Sequence, residues 1–208
     1  LTGINDLNQT WEGDNHVLMI QCQQFLFKAL RWLSKGLELP ETLEFLSMEQ
    51  PEMKDYNCCI HDINGLKKLF KARANHLVHK ASQIMMDDPS KMIENFNKQQ
   101  QFVLRDMCQA YHDIYLFETA LNWLDTIDDK NTRTVFDRLL LLHIQNRIVK
   151  NEAFFYPILG DEKIQNAKKS IIKLLKEIRK DIIGLTDILP FPNRSLGPLG
   201  NEDLRIYD

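Results

Sequence analysis

One carboxylate near the start of the chain lies in a setting suited to proton transfer. Glu12 stands between Trp11 and Gly13, and Asp14 and Asn15 follow directly. Because Gly13 has no Cβ, another planar group can approach the backbone closely at this point. A carboxylate held beside apolar side chains is a candidate general base. The alternative interpretation is a capped helix start whose acidic residue is stabilised by the helix dipole.

A long helix is predicted to position this carboxylate. Asp14 and Asn15 are strong N-cap residues, whose side-chain oxygens can accept from the free N–H groups of a first helical turn. Apolar residues recur at helical spacing from Asn15 to Lys35, and Gly36 marks the expected C-terminal end. Since apolar residues cover much of its circumference, this helix is expected to be buried between neighbours.

The rest of the chain predicts a linker and then a second helical unit. Residues 37–59 contain Pro40 and Pro51 and are interpreted as a linker, with one short helix at Glu41–Ser47. Four long helices with apolar stripes are then expected to form an antiparallel bundle; they are predicted at 62–86, at 90–127, from 131 or 132 to 150, and from 161 onward.

Smaller features of this second unit also give expectations. Asn131 or Thr132 is predicted to cap the helix that ends near Lys150. Residues 154–157 are predicted to be an aromatic loop that tucks into the bundle as a lid on the core. Residues 184–208, which include three prolines, are predicted to form an extended tail.

Composition excludes several classes of function. The chain has 208 residues and a net charge of −3, so no basic field indicates nucleic-acid binding. No apolar run reaches the length of a membrane span. The four cysteines form no C-x-x-C pair and are interpreted as reduced thiols of an intracellular compartment. No metal is expected: Cys58, Cys59 and His61 depart from zinc-ligand spacing, and His76 and His79 lack a third ligand.

Two sets of residues carry a resemblance to a known family. Thr-Trp-Glu-Gly-Asp-Asn at 10–15, followed by Val-Leu-x-x-Gln at 17–21, resembles the signature of the acyl-CoA oxidases. Related acyl-CoA dehydrogenases usually have Glu-Gly-Thr here, so Asp14 and Asn15 favour the oxidase branch. The tail is similar to the end of the oxidase C-terminal domain at residues 185–194, 199–200 and 206–207, as is the helix around 110–113.

The resemblance implies a flavoenzyme of fatty-acid β-oxidation. In this family FAD accepts a hydride from the β-carbon of a fatty acyl-CoA while a carboxylate removes the α-proton, and O₂ is reduced to H₂O₂. On this resemblance Glu12 is the catalytic base, and Trp11, Gly13, Asp14 and Asn15 line the flavin and the substrate. The fold implied is all-α, with the end of the flavin-domain helical bundle followed by the antiparallel C-terminal bundle.

Several parts of the family pattern are missing from the chain. The Gly-Gly-His-Gly-Tyr segment, the β-domain and the first flavin-domain helices are absent, so this chain alone is expected to be inactive. The expected division is 1–36 for the motif and last flavin-domain helix, 37–59 for the linker, and 60–208 for the C-terminal domain. The expected partners are the N-terminal part of the oxidase, on the same or a separate chain, a fatty acyl-CoA, and further copies in a homodimer or higher assembly.

Two questions of function and location stay open in the sequence. The chain ends in Ile206-Tyr207-Asp208 and not in Ser-Lys-Leu, so a peroxisomal location rests on the resemblance, and a mitochondrial one remains an alternative. An acyl-CoA dehydrogenase-like subunit and a non-catalytic helical interaction module derived from an oxidase are the alternative functions.

Overall fold

The all-α prediction is confirmed. A computed structural model describes residues 15–48, 53–86 and 101–188, and within those ranges it contains helices and no β-strand. The α-helices are α1 (Asn15–Ser34), α2 (Ile63–Met86), α3 (Gln101–Leu124), α4 (Lys130–Lys150), α5 (Glu152–Ile178) and α6 (Ile182–Asp187). The 3₁₀ helices are Glu41–Ser47, Met53–Tyr56 and Arg179–Asp181.

Helices α2 to α5 pack as antiparallel neighbours. Lys67 and Lys71 near the start of α2 pair with Glu118 near the end of α3. At the middle of both helices, Arg73 pairs with Asp113. Between α4 and α5, Arg138 pairs with Glu177. The pairs of Glu118 and Glu177 each join an earlier position on one helix to a late position on its neighbour, as an up-and-down bundle requires.

Helix α1 ends at the predicted residue for a clear physical reason. Gly36 has φ 70°, a left-handed conformation that a residue without Cβ adopts at little cost. Its N–H donates to the Leu33 carbonyl at 2.9 Å, and the Leu37 N–H donates to the Trp32 carbonyl at 3.1 Å. These two bonds form a Schellman motif, which satisfies carbonyls that the helix end would leave free.

The segment that follows α1 is packed against the bundle. The short helix predicted at Glu41–Ser47 is present as a 3₁₀ helix, and its Leu43, Phe45 and Leu46 are buried. Asn75 of α2 donates from Nδ2 to the Phe45 carbonyl at 2.6 Å and to the Met48 carbonyl at 3.2 Å. The division of the chain at residues 37–59 stays a prediction, but this part of the segment is fixed by buried contacts.

Three local predictions were wrong. The cap of α4 is Asp129, whose Oδ1 accepts from the Thr132 N–H at 2.8 Å, and it lies two or three residues before the predicted Asn131 or Thr132. Residues 154–157 belong to α5, which includes Pro157 and is interrupted at Gly160 (φ 78°, ψ 166°). The predicted extended tail begins within a short helix, α6, and its residues 189–208 lie outside the described part of the chain.

The aromatic residues at the start of α5 do cover the core, as predicted, although they are helical. Phe155 is fully buried and Phe154 is packed against the same core. The Phe155 ring lies 5.3 Å from the Phe70 ring, which in turn meets Phe117 edge-on at 5.9 Å. Three helices therefore meet through one aromatic cluster. None of the described helices is both long enough and apolar enough to cross a bilayer.

Candidate functional site

The predicted catalytic and cofactor residues lie at the edge of what the structure describes. Trp11, Glu12, Gly13 and Asp14 are outside the described residues. Asn15 is the first residue of α1, but its side chain is also outside the description. The roles of all five residues therefore stay predictions. The structure does show how α1 is packed, and this helix follows Glu12 in the sequence.

Helix α1 is held by contacts to α3 and to the first 3₁₀ helix. Leu26 and Ala29 are fully buried in the main core. The Phe25 ring lies 6.3 Å from the Tyr111 ring of α3, and Tyr111 lies 6.1 Å from Phe45. Apolar burial of this kind stabilises packing by roughly 25 cal/mol per Å². The helix that follows the candidate base in the sequence is thus packed on the bundle along its inner face.

An apolar groove of about 780 Å³ lies between α1 and the end of α2. Its lining residues are Gln24, Phe27, Leu30, Arg31, Leu33, Ser34, His79, Ser82, Met85 and Met86. Arg31 and His79 are the only members of this lining that can carry a charge. His79 Nε2 also lies 3.5 Å from the Leu46 carbonyl oxygen. The groove therefore suits apolar contact with another part of a larger protein, and it is poorly suited to acid–base chemistry.

A buried cluster of charged residues joins α2, α3 and α4. Arg73 Nη1 donates to Asp113 Oδ2 at 2.8 Å, and Arg73 Nη2 donates to Asn151 Oδ1 at 2.8 Å. Arg147 reaches the same carboxylate, with Nη2 donating to Oδ2 at 3.1 Å and Nε 2.7 Å from Oδ1. Asn151 Nδ2 returns a bond to the Arg147 carbonyl. We call these four residues the arginine cluster.

The arginine cluster has a structural role, since it links α2, α3 and α4. Arg73 is only 2% exposed, and burial lowers the pKa of its guanidinium while the adjacent Asp113 opposes that shift. Its guanidinium carbon also lies 5.6 Å and 5.5 Å from the ring centroids of Phe154 and Phe155. Two cations share one carboxylate, so the carboxylate is already occupied and has no free proton-transfer role.

Sequence reasoning missed this cluster although one signal was present. Residues 110–113 were noted for their resemblance to the oxidase C-terminal domain, but Asp113 received no role. An acidic residue between Ala110 and Ile114 lies on the apolar stripe of α3, and a charge on such a stripe predicts a buried partner. The partner itself comes from a helix forty residues earlier, which the sequence of α3 alone does not identify.

A second groove, of about 510 Å³, lies between residues 59–61 and α5. Its lining residues are Cys59, Ile60, His61, Glu162, Lys163, Asn166, Lys169, Ser170 and Lys173. Lys163 Nζ donates to Asn57, and Lys173 lies 3.8 Å from Glu177. Both lysines are on α5, and their contacts, one hydrogen bond and one ion pair, are exposed and contribute little energy.

Metal binding has no support in the part of the chain described. Across residues 15–48, 53–86 and 101–188, no group of three His, Cys, Asp or Glu side chains is arranged to hold an ion. Burial, reinforced by the charge of Asp62, raises the pKa of Cys58 to about 11. Since zinc is bound by thiolate, this shift disfavours Cys58 as a ligand.

Comparison with known proteins identifies the family to which this chain belongs. The model of the family described as "Acyl-CoA oxidase" matches residues 62–208, which include α2 to α6 and the whole arginine cluster. The chain belongs to the acyl-CoA oxidase family. This confirms the resemblance that the motif at 10–15 and the tail indicated.

Curated oxidases from several animals are similar to this oxidase chain. It is 28% identical over 215 residues to peroxisomal acyl-coenzyme A oxidase 1 of Phascolarctos cinereus, covering 96% of this chain and 32% of that protein. The human protein of the same name is 27% identical over 218 residues with the same coverage. The chain therefore spans about a third of the length of the curated relatives it matches.

Solved oxidase structures share the fold. Acyl-CoA oxidase-2 of Caenorhabditis elegans, bound with FAD, ascaroside-CoA and ATP, superposes with a TM-score of 0.81 at 19% identity, over 96% of this chain and 30% of that one. Acyl-CoA oxidase3 of Yarrowia lipolytica gives a TM-score of 0.80 at 18% identity, over 97% and 30%. Both the mounting of α1 and the bundle fall within the matched region.

Proposed function

We propose that this chain is the C-terminal part of an FAD-dependent acyl-CoA oxidase, an enzyme that oxidises fatty acyl-CoA to trans-2-enoyl-CoA and reduces O₂ to H₂O₂. The observation that carries the proposal is the family match over residues 62–208. The motif at residues 10–15 supports it, because it supplies a carboxylate at the start of a helix that is packed on this family's bundle.

In this proposal Glu12 removes the α-proton of the acyl thioester. Its carboxylate accepts the proton, and its own backbone N–H helps to hold the thioester oxygen, which acidifies that proton. Trp11, Gly13, Asp14 and Asn15 contact the flavin and the substrate, and Gly13 leaves space for a planar group. When bound, FAD supplies a hydride acceptor for the β-carbon.

The described residues do not by themselves fit a whole flavin dinucleotide. The groove beside α1 has an apolar lining with one arginine and one histidine, whereas a pyrophosphate requires several N–H donors or cations. Most of the cofactor site therefore belongs to the remaining two thirds of the enzyme. In our proposal that N-terminal part also covers the apolar groove, and the chain alone is inactive.

The test of the proposal is Glu12→Gln in the assembled oxidase. Glutamine keeps the shape of the side chain and removes the base, so kcat for acyl-CoA-dependent peroxide formation should fall by about 100- to 10,000-fold. Flavin absorbance and its bleaching by substrate in the absence of O₂ give a second measurement of the same proton abstraction. Glu38→Gln, at an exposed site just after α1, is the matched control and should leave kcat unchanged.

Unchanged turnover in the Glu12→Gln enzyme would remove Glu12 from the role of base. Electron transfer to a carrier protein without peroxide formation would favour the alternative, a dehydrogenase-like subunit. A flavin-free assembly without turnover would instead favour the non-catalytic interaction module.

We also propose a location and an oligomeric state for the full enzyme. The matched mammalian proteins are named peroxisomal, which favours the peroxisome over the mitochondrion for this oxidase. A homodimer is proposed for the full enzyme. Sedimentation of the assembled protein measures its oligomeric state. Microscopy of a tagged full-length chain determines its location in the cell.

A further inference from the structure

Two cysteines face each other across the contact between α1 and α3. Cys108 of α3 is buried, and its Sγ donates to the Met19 carbonyl of α1 at 3.5 Å. Met19 lies one helical turn before Cys22, whose thiol shares a side-chain hydrogen bond with that of Cys108. Cys22 is half-buried, so one edge of the pair is accessible to small molecules. All four cysteines of the chain are free thiols in this structure.

We propose that Cys22 and Cys108 are a peroxide-sensitive thiol pair, which oxidises to a reversible disulfide between α1 and the bundle. The oxidant is hydrogen peroxide, and the inference rests on the proposed function only for the source of that peroxide. The pairing itself follows from the position of the two thiols.

The chemistry balances with one peroxide per disulfide. The Cys22 sulfur attacks one peroxide oxygen, the O–O bond breaks, and the first water leaves once its oxygen is protonated. The resulting sulfenic acid is attacked by the Cys108 sulfur, the S–O bond breaks, and a second water leaves with the Cys108 proton. Two sulfurs are each oxidised by one electron, and one H₂O₂ is reduced to two H₂O.

The environments of the two thiols assign their order of reaction. The hydrogen bond from Cys108 lowers the pKa of Cys22, whereas the same bond and burial raise the pKa of Cys108. Because Cys22 is half-buried and Cys108 is buried, peroxide reaches the Cys22 thiol first, and Cys108 then resolves the sulfenic acid. The lowered pKa of Cys22 supports the same order, since the thiolate is the nucleophile.

The other cysteines do not offer an equivalent pair. Cys58 and Cys59 are adjacent in sequence, where a disulfide is strained, and burial raises the pKa of Cys58 to about 11. Cys59 is exposed on the edge of the lysine-lined groove. They therefore serve as internal controls for non-specific oxidation.

A disulfide at this position would fix α1, the helix that follows the candidate base in the sequence. Cys22 lies in the first half of α1, ten residues after Glu12 in the sequence. The bond would tie α1 covalently to α3, where packing and the hydrogen bonds of Cys108 now hold it. Such a cross-link also restricts the unfolded chain, so the oxidised protein should melt at a higher temperature than the reduced one.

The test treats the assembled protein with added hydrogen peroxide, without acyl-CoA, then alkylates free thiols and maps the peptides without reduction. We expect one cross-linked species that joins the peptides of Cys22 and Cys108, lost on treatment with dithiothreitol. Circular dichroism before and after oxidation checks that the helices are intact. If both thiols are still alkylated at a peroxide concentration that oxidises Cys59, the proposal is overturned.

Two variants sharpen the result. In Cys108→Ser the Cys22 sulfenic acid has no resolving thiol, so a dimedone adduct should appear at Cys22. Cys58→Ser is the matched control and should leave the Cys22–Cys108 cross-link unchanged. A cross-link between Cys22 and Cys59 instead would contradict the proposed pair. Because peroxide is added, these outcomes do not depend on whether the assembly oxidises acyl-CoA.

Discussion

Asp113 is a single buried carboxylate that two arginines share. Removing charge from water is unfavourable, and a buried ion pair recovers that loss only through close contacts and full hydrogen bonding. Arg73 and Arg147 both reach Asp113 within 3.1 Å, and Asn151 completes the network at the junction of α4 and α5. The cluster therefore depends on its one negative member more than on any other.

We expect Asp113→Asn to destabilise the fold by about 3–5 kcal/mol, because two guanidinium groups would stay buried without a counter-charge. Urea unfolding followed by circular dichroism measures the change. The matched control is Glu118→Gln on the same helix, where two partly exposed lysines lose their partner. There the cost should be below about 1 kcal/mol. Equal effects in the two variants would contradict the assignment of Asp113 as a buried joint.

At the scale of the helix, Gly160 sets the direction of α5. Its φ of 78° and ψ of 166° lie in a region that is open almost only to glycine, and they separate the short first part of α5 (residues 152–159) from its long second part. A Cβ at this residue would meet no atom within 4 Å. The cost of substitution is therefore backbone strain and not steric overlap.

Gly160→Ala should lower the free energy of unfolding by about 1–3 kcal/mol through that strain. Gly184→Ala is the matched control, because Gly184 lies in helix α6, has open space for a Cβ and has no positive φ. Alanine there should be neutral or stabilising by up to about 1 kcal/mol. Thermal melts of both variants measure the difference. An unchanged melting temperature in Gly160→Ala would contradict this, because it would show that the backbone at residue 160 relaxes without loss of stability.

The sequence predicted helices better than their ends, for reasons visible at particular residues. Apolar periodicity located α1 and α2 to within a residue or so, and Gly36 was identified as the end of α1 because glycine after an apolar run is a strong local signal. Gly160 was overlooked, because Pro157 before it predicted a loop. Pro157 is the sixth residue of α5, where it removes one intrahelical hydrogen bond, and residues 154–157 are helical nonetheless.

Contacts between residues far apart in the chain could not be predicted from the sequence. Asp129 and Asn131 are both good caps by type, and only the path of the backbone selects Asp129. The arginine cluster joins residues from three helices, and the Cys22–Cys108 contact joins α1 to α3. The motif at residues 10–15 could be recognised because it is contiguous. Its geometry stays a prediction, since Trp11 to Asp14 lie outside the described residues.

At the scale of the whole molecule, one aromatic cluster connects three helices. Phe70 of α2 contacts Phe117 of α3 and Phe155 of α5, and it is only 2% exposed. Such contacts contribute beyond the burial of area when rings meet edge-on or tilted. Loss of the Phe70 ring would therefore leave a cavity bordered by three elements that have little room to collapse.

Phe70→Ala should cost about 3–5 kcal/mol of stability, as large-to-small changes in a tight core do. Phe102→Ala is the matched control, because Phe102 is 72% exposed within the described residues and its loss should change stability by less than about 0.5 kcal/mol. Chemical denaturation with near-ultraviolet dichroism measures both. A small loss in Phe70→Ala would mean that the bundle repacks around the gap.

The carboxamide of Asn75 has a consequence for how this protein tolerates changes of length. It donates hydrogen bonds to the carbonyls of Phe45 and Met48, so the end of the first 3₁₀ helix is anchored to α2. Lengthening a connection between two fixed points costs an entropy that grows only slowly with its length. We therefore expect residues inserted between Met48 and Met53 to leave the packing of α1 on the bundle unchanged.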